Sequence, residues 1–144
     1  EQLATLFMPT LIQKEIDVPL SYVAEVMDLI KERISFISEA WSLSSYFFIA
    51  PTEYDQKVKE KFWKGEIPQA VKGITKMLSK CRPFTKEQIE TILPDYIKER
   101  ELPMGAIMNS LRLLLVGESK GPGVAEIMAL IGKEESVSRL NREL

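Results

Sequence analysis

Met104-Gly-Ala-Ile107-Met108-Asn-Ser-Leu111-Arg112-Leu-Leu-Leu115-Val-Gly117 is the stretch that decides the fold of this chain. Met104, Ile107, Met108, Leu111 and Leu115 recur at helical spacing, as expected of a helix with one buried face. Gly117 supplies the stop, because a residue without a Cβ readily takes the left-handed conformation in which helices end. The densest apolar run, residues 111–116, is far shorter than a membrane span and contains Arg112.

The period continues in both directions. Val124, Ile127, Met128 and Ile131 predict another helix, stopped by Gly132, and Val137 and Leu140 mark a last one. Upstream, Thr85-Lys-Glu-Gln88 reads as a capping box, with Thr85 at the N-cap and Gln88 reaching back. Pro94 is expected to break or kink that helix after Leu93, and Pro103 to end the next piece. Ile67, Val71, Ile74, Met77 and Leu78 define a helix that ends near Cys81-Arg82-Pro83, and residues 55–63 a shorter one. After Pro19, the series Val23, Val26, Met27, Ile30, Ile34, Ile37 and Trp41 reads as one long helix. A second apolar segment, 43–49, follows it until Pro51. No alternating β-branched run competes. The expected class is all-α, a helical bundle or cage of two small subdomains, 1–82 and 83–144, with the seam at Cys81-Arg-Pro-Phe-Thr85.

Composition narrows the chemistry. The 144 residues include no histidine, which excludes Ser-His-Asp and Cys-His nucleophile systems, H-E-x-x-H zinc sites and a histidine general base. Cys81 stands alone, so neither an intrachain disulfide nor a CxxC pair exists within the chain, which fits a reducing cytoplasm. No signal peptide is visible, and no membrane partner is expected. The chain opens at Glu1 inside sequence that reads as structured, so it is expected to be a piece of a longer protein whose active site lies elsewhere.

With 19 basic and 21 acidic residues, the net charge of −2 argues at first sight against nucleic acid. The distribution argues otherwise. Residues 57–82 hold eight basic side chains (Lys57, Lys59, Lys61, Lys64, Lys72, Lys76, Lys80, Arg82) against Glu60 and Glu66, a local +6 that leaves −8 elsewhere. Lys57, Lys61 and Lys64 share one helix face, as do Lys72, Lys76 and Lys80. Such a stripe either approaches phosphates or is simply a solvated face.

Other motifs are weaker. Lys76-Met-Leu-Ser-Lys80 resembles an ATP-binding K-M-S-K-S loop, but Leu78 interrupts it and fits a buried helical stripe. Gly117-Glu-Ser-Lys-Gly121-Pro-Gly123 lacks the spacing of a phosphate loop and offers a turn feeding a helix N-terminus. Glu134 and Glu135 suit the first turn of the last helix, where carboxylates complement the dipole. Trp41, Tyr46, Phe47 and Phe48 read as core rather than as a base-stacking platform. Arg33 and Arg112 stand amid apolar neighbours, where an arginine must snorkel, pair with a carboxylate or face a ligand.

Taken in order, Leu111-Arg112-Leu-Leu-Leu-Val-Gly117, Gly121-Pro122-Gly123-Val124-Ala-Glu126-Ile, Leu130-Ile-Gly132-Lys133-Glu134 and Arg139-Leu140 resemble the C-terminal end of bacterial glutamyl-tRNA synthetases. That family shows P-L-R-x-A-L-T-G, a short loop, P-G-L-F-E-I-L-x-L-L-G-K-E and a terminal R-x-x-x-A-L. Upstream, Val26-Met-Asp-Leu-Ile-Lys-Glu-Arg33 and Ser45-Tyr-Phe-Phe48 are similar to the family's arginine-ended helix and aromatic patch.

The resemblance implies an anticodon-binding region in which Arg33, Arg112, Gly121, Pro122 and Val124 contact anticodon bases of the glutamate tRNA. Lys72, Lys76 and Lys80 would touch its backbone. Val116, Gly121 and Val124 replace the family's threonine, a polar residue and leucine, so position 121 offers backbone contacts alone. The piece itself would be non-catalytic and hold no cofactor. The full-length enzyme, a cytoplasmic monomer, would be a glutamate–tRNA ligase using ATP and magnesium, its N-terminal catalytic domain being this region's other partner. The chemistry is apt: unstacked loop bases are read by hydrogen bonds and by stacking on arginine or aromatic planes. A Gly-Pro-Gly loop allows close backbone approach at low ordering cost. The alternative is a helical adaptor that binds protein through Met and aromatic side chains.

Overall fold

The computed structural model describes residues 2–33, 39–119 and 122–142. Among these the secondary structure is helical throughout, with no strand. Backbone packing divides the chain into two compact units, Glu1–Ile49 and Ala50–Leu144.

The first unit comprises α1 (Gln2–Gln13), α2 (Leu20–Ile30), a 3-10 turn Lys31–Arg33, α3 (Ala40–Ser44) and a 3-10 turn Ser45–Phe47. Ala4, Phe7 and Leu11 on α1 and Val23, Val26, Met27 and Ile30 on α2 are buried, and the two helices pack together. Phe48 gathers the aromatic side chains: it stacks on Trp41 at 6.3 Å, meets Tyr22 edge-on at 5.7 Å and lies 6.2 Å from Phe7. The Tyr22 hydroxyl donates to the Phe47 carbonyl at 2.6 Å. Of the four rings expected in the core, Tyr46 and Phe47 are buried, whereas Trp41 and Phe48 are part-exposed. The expected single helix through Trp41 is not formed: α2 ends at Ile30 and tightens into the turn Lys31–Arg33. Those three residues are charged and exposed, so no apolar side chain holds that turn against a neighbour. Ile34 and Ile37 lie outside the described residues.

The second unit comprises α4 (Gln56–Phe62), α5 (Ile67–Ser79), α6 (Lys86–Glu99), α7 (Met104–Val116), α8 (Val124–Ile131) and α9 (Lys133–Leu140). Its hub is α7, which packs against α4, α5, α6, α8 and α9. Surrounded on so many sides, α7 buries Ile107, Leu111, Leu113, Leu114 and Leu115 completely, while Met104 stays exposed. An apolar helix buried nearly all round replaces the one-sided helix that spacing predicts. Each such leucine contributes about 2 kcal/mol by leaving water.

Local signals place the ends. Asp55 caps α4, its Oδ1 accepting from the Lys57 and Val58 N–H groups at 2.9 and 3.2 Å. Thr85 caps α6 by accepting from Gln88 N–H at 3.2 Å, and only this half of the predicted box forms. Pro94 sits inside α6 without ending it. Leu93 and Ile97, buried on either side of it, hold the helix to the core, and Glu90, whose carbonyl loses its partner, is exposed where water replaces the bond. The Cys81–Thr85 junction, expected as the seam, lies within this unit. It ends one helix and starts the next, but α5 and α6 both pack on α7, so one core spans it.

Candidate nucleic-acid interface

The end of α7 and the residues that lead into α8, Pro122 and Gly123, meet at Arg112. Gly117 closes α7 with φ +86°, and its N–H donates to the Leu113 carbonyl at 2.8 Å. The Gly117 carbonyl accepts the Asp55 N–H at 2.8 Å, which ties the segment before α4 to this corner. A Cβ at position 117 would stand 2.7 Å from the Glu53 carbonyl oxygen, so glycine is required here by both φ and space. On the far side of the loop, Gly123 precedes α8 and its N–H donates to Glu126 Oε1 at 3.2 Å.

Between these fixed ends, Arg112 Nη2 donates to the Pro122 carbonyl at 3.0 Å. The arginine is part-buried, and this bond to a loop carbonyl is a partner that its apolar sequence neighbours did not suggest. A guanidinium so held presents a planar, charged edge beside the Pro122-Gly123 backbone, a combination suited to base edges and phosphates.

The other expected contact residues are placed as follows. Pro122 is buried and supplies its carbonyl to Arg112. Val124 is 1% exposed at the first turn of α8, so it belongs to the core. Gly121 lies outside the described residues. Arg33 is exposed at the end of the turn in the first unit. Lys72 and Lys76 are exposed on α5 and Lys80 at its C-cap, four residues apart on the outward face opposite Val71, Ile74, Thr75 and Leu78. Among the described residues, no three Cys, Asp or Glu side chains converge to hold a metal ion, and no helix is long and apolar enough to cross a membrane.

Two cations that matter to this architecture stand in the sequence motifs without a role assigned to them. Arg139 on α9 is 2% exposed, with Nη1 donating to the Leu115 carbonyl at 2.9 Å and Nε to Glu135 Oε2 at 2.8 Å. It occupies the C-terminus of α7, where unpaired carbonyls and the helix dipole favour positive charge. Lys133 does the same for α5, with Nζ 3.0 Å from the Cys81 carbonyl and 3.4 Å from that of Ser79. Thus α9 fastens the ends of two helices. The Glu135–Arg139 spacing of four was the available signal, but it marks a helix pair, not burial.

Residues 2–144 match the family described as "Anticodon binding domain". The chain is 43% identical over 142 residues to the glutamate–tRNA ligase of Flavobacterium psychrophilum and 40% identical to that of Phocaeicola vulgatus, covering 99% of this chain in each case. It spans 28% of the length of both relatives. Among solved structures, a glutamate tRNA ligase from Elizabethkingia meningosepticum in complex with its amino acid superposes with a TM-score of 0.90 at 33% identity. That match covers 97% of this chain and 28% of the other. The glutamate-tRNA synthetase of Elizabethkingia anophelis gives 0.85 at 31%. The all-helical fold, the arginine-clasped loop and a match across residues 2–144 lead to one conclusion: the chain belongs to the anticodon binding domain family.

Proposed function

We propose that this chain reads the anticodon loop of a glutamate tRNA as the non-catalytic, anticodon-recognising part of a glutamate–tRNA ligase. The observation that carries the reading is the Arg112–Pro122 bond, which joins the Leu-Arg motif to the Pro-Gly turn. Arg112 reads base edges there beside the part-exposed Gly123 backbone, while Pro122 and Val124, both buried, shape the turn; Arg33 supplies a further contact, as does the Gly121 backbone. Lys72, Lys76 and Lys80 add phosphate attraction that carries no sequence information. The full-length enzyme uses ATP and magnesium, works in the cytoplasm as a monomer, and places this domain downstream of its own catalytic domain. The adaptor alternative is not favoured, since the family match and the ligase relatives both point to tRNA.

The test is steady-state kinetics of the full-length protein with Arg112→Ala. A bidentate arginine–base contact is worth about 1–3 kcal/mol, so the KM for glutamate tRNA should rise about tenfold or more with the KM for ATP unchanged. An unaltered tRNA KM would remove Arg112 from the reading surface.

A further inference from the structure

A groove of about 420 Å³ runs between the end of α4, α5 and the end of α9, within the second unit and outside the Arg112 corner. We propose that it takes up one nucleotide of the bound RNA strand, with the base against Trp63 and the phosphate between Lys72 and Arg142. The proposal rests on the reading that this chain binds RNA, and adds a contact site to it.

The groove has the parts that such a ligand needs. Its size is that of a small-molecule pocket. Val71 and Leu140, both buried, make an apolar floor. Trp63 stands part-exposed at one side, and Asn141 offers an amide able to donate to and accept from a base edge. Lys72 and Arg142, both exposed, bring positive charge to the rim. Lys72 also begins the exposed lysine line that continues through Lys76 and Lys80, so a backbone following that face arrives at the groove. Arg142 is already ordered: its Nη1 donates to the Pro51 carbonyl at 2.5 Å and to the Tyr54 hydroxyl at 3.3 Å. A guanidinium held in place loses less rotamer freedom when an anion binds.

The occupant must combine a flat ring for the tryptophan face with negative charge for two cations. An RNA nucleotide meets both demands. An acidic peptide meets only the second. Stacking on an aromatic ring is sequence-tolerant, because every base has a π-face. The groove therefore strengthens binding without discriminating between tRNAs.

The experiment measures dissociation constants of the full-length protein for glutamate tRNA and for the same tRNA with a swapped anticodon. Trp63→Leu should weaken both about tenfold, and Trp63→Phe should recover most of the loss, since phenylalanine still stacks. Lys72→Ala should lower the slope of log affinity against log salt by about 0.7, the value for one single-strand phosphate contact. Ultraviolet cross-linking of the unmodified protein to tRNA should yield an adduct on the peptide carrying Trp63, a result that does not depend on any variant folding. Unchanged affinity in Trp63→Leu, or a cross-linked complex with no adduct at Trp63, would overturn the proposal. Anticodon reading is judged separately, by the difference between the two tRNAs for the unmodified protein. A loss of that difference with the Trp63 effects intact would sink the anticodon reading and leave the groove standing.

Discussion

Replacing Gly117 by alanine isolates what holds the corner beside Arg112. The backbone there has φ +86°, where an L side chain costs about 1–2 kcal/mol. The new methyl would lie 2.7 Å from the Glu53 carbonyl oxygen and 3.2 Å from Pro51 Cβ. Neither neighbour can step aside cheaply, because Asp55 N–H is bonded to the Gly117 carbonyl itself at 2.8 Å. Moving that segment sacrifices a hydrogen bond worth about 1 kcal/mol and disturbs the cap of α4. The sum is about 3 kcal/mol, a large share of an ordinary domain's stability.

Gly65 provides the control. It too has positive φ, +61°, but a Cβ there meets nothing within 4 Å, so Gly65→Ala reports the backbone term alone. Urea unfolding followed by Trp63 fluorescence, in a Trp41→Phe background so that only the second unit reports, gives both values. Gly117→Ala should exceed Gly65→Ala by about 1–2 kcal/mol. If the two variants agree within about 0.5 kcal/mol, the limit to which independent effects ordinarily add, the corner is not sterically closed and the argument fails.

Three further outcomes concern polar groups in and around the core. Arg139→Met should cost about 2 kcal/mol, because it strips the Leu115 carbonyl of its donor at the buried end of α7. Glu135→Gln should cost under about 1 kcal/mol, since the Glu135 side chain is 45% exposed and water screens the pair; chemical denaturation showing the reverse order would contradict this assignment. Ser110 is fully buried on α7 with no hydrogen-bond partner for its hydroxyl among the described residues. Ser110→Ala should therefore raise stability by about 0.5–1 kcal/mol, the penalty of desolvating an unpaired hydroxyl being of that order or more, and a lower unfolding midpoint would show that the hydroxyl has a partner after all.

Helix ends were the most legible features. Asp55, Thr85 and Gly132 act through their own backbone or through groups within four residues, so their effects are written in the local sequence, as is the left-handed stop at Gly117 though not its fit against Glu53. The break expected at Pro94 does not occur, because its local cost is outweighed by burial of Leu93 and Ile97, which only packing reveals. The same applies to the long helix expected through Trp41: apolar spacing persists across Lys31–Arg33, yet the α-helix stops there. The Cys81–Thr85 break looked like a domain boundary because a proline and a cap end and begin helices nearby. Whether the helices on either side share a core depends on contacts between residues distant in sequence.

At the candidate site the division is just as clear. The chain's own residue order determined that this chain is helical, that these 144 residues lack histidine chemistry, and that Arg112 precedes a Pro-Gly turn opening a helix. Side-chain periodicity and glycine stereochemistry suffice for that, because both act over a few residues. Tertiary structure decided which cation does what. It bonded Arg112 to the Pro122 carbonyl ten residues on, buried Arg139 against Leu115, turned Val124 inward, and set Lys72 and Arg142, seventy positions apart, on one groove beside Trp63. An arginine's role is set by the groups that surround its guanidinium, and those arrive only when distant helices pack.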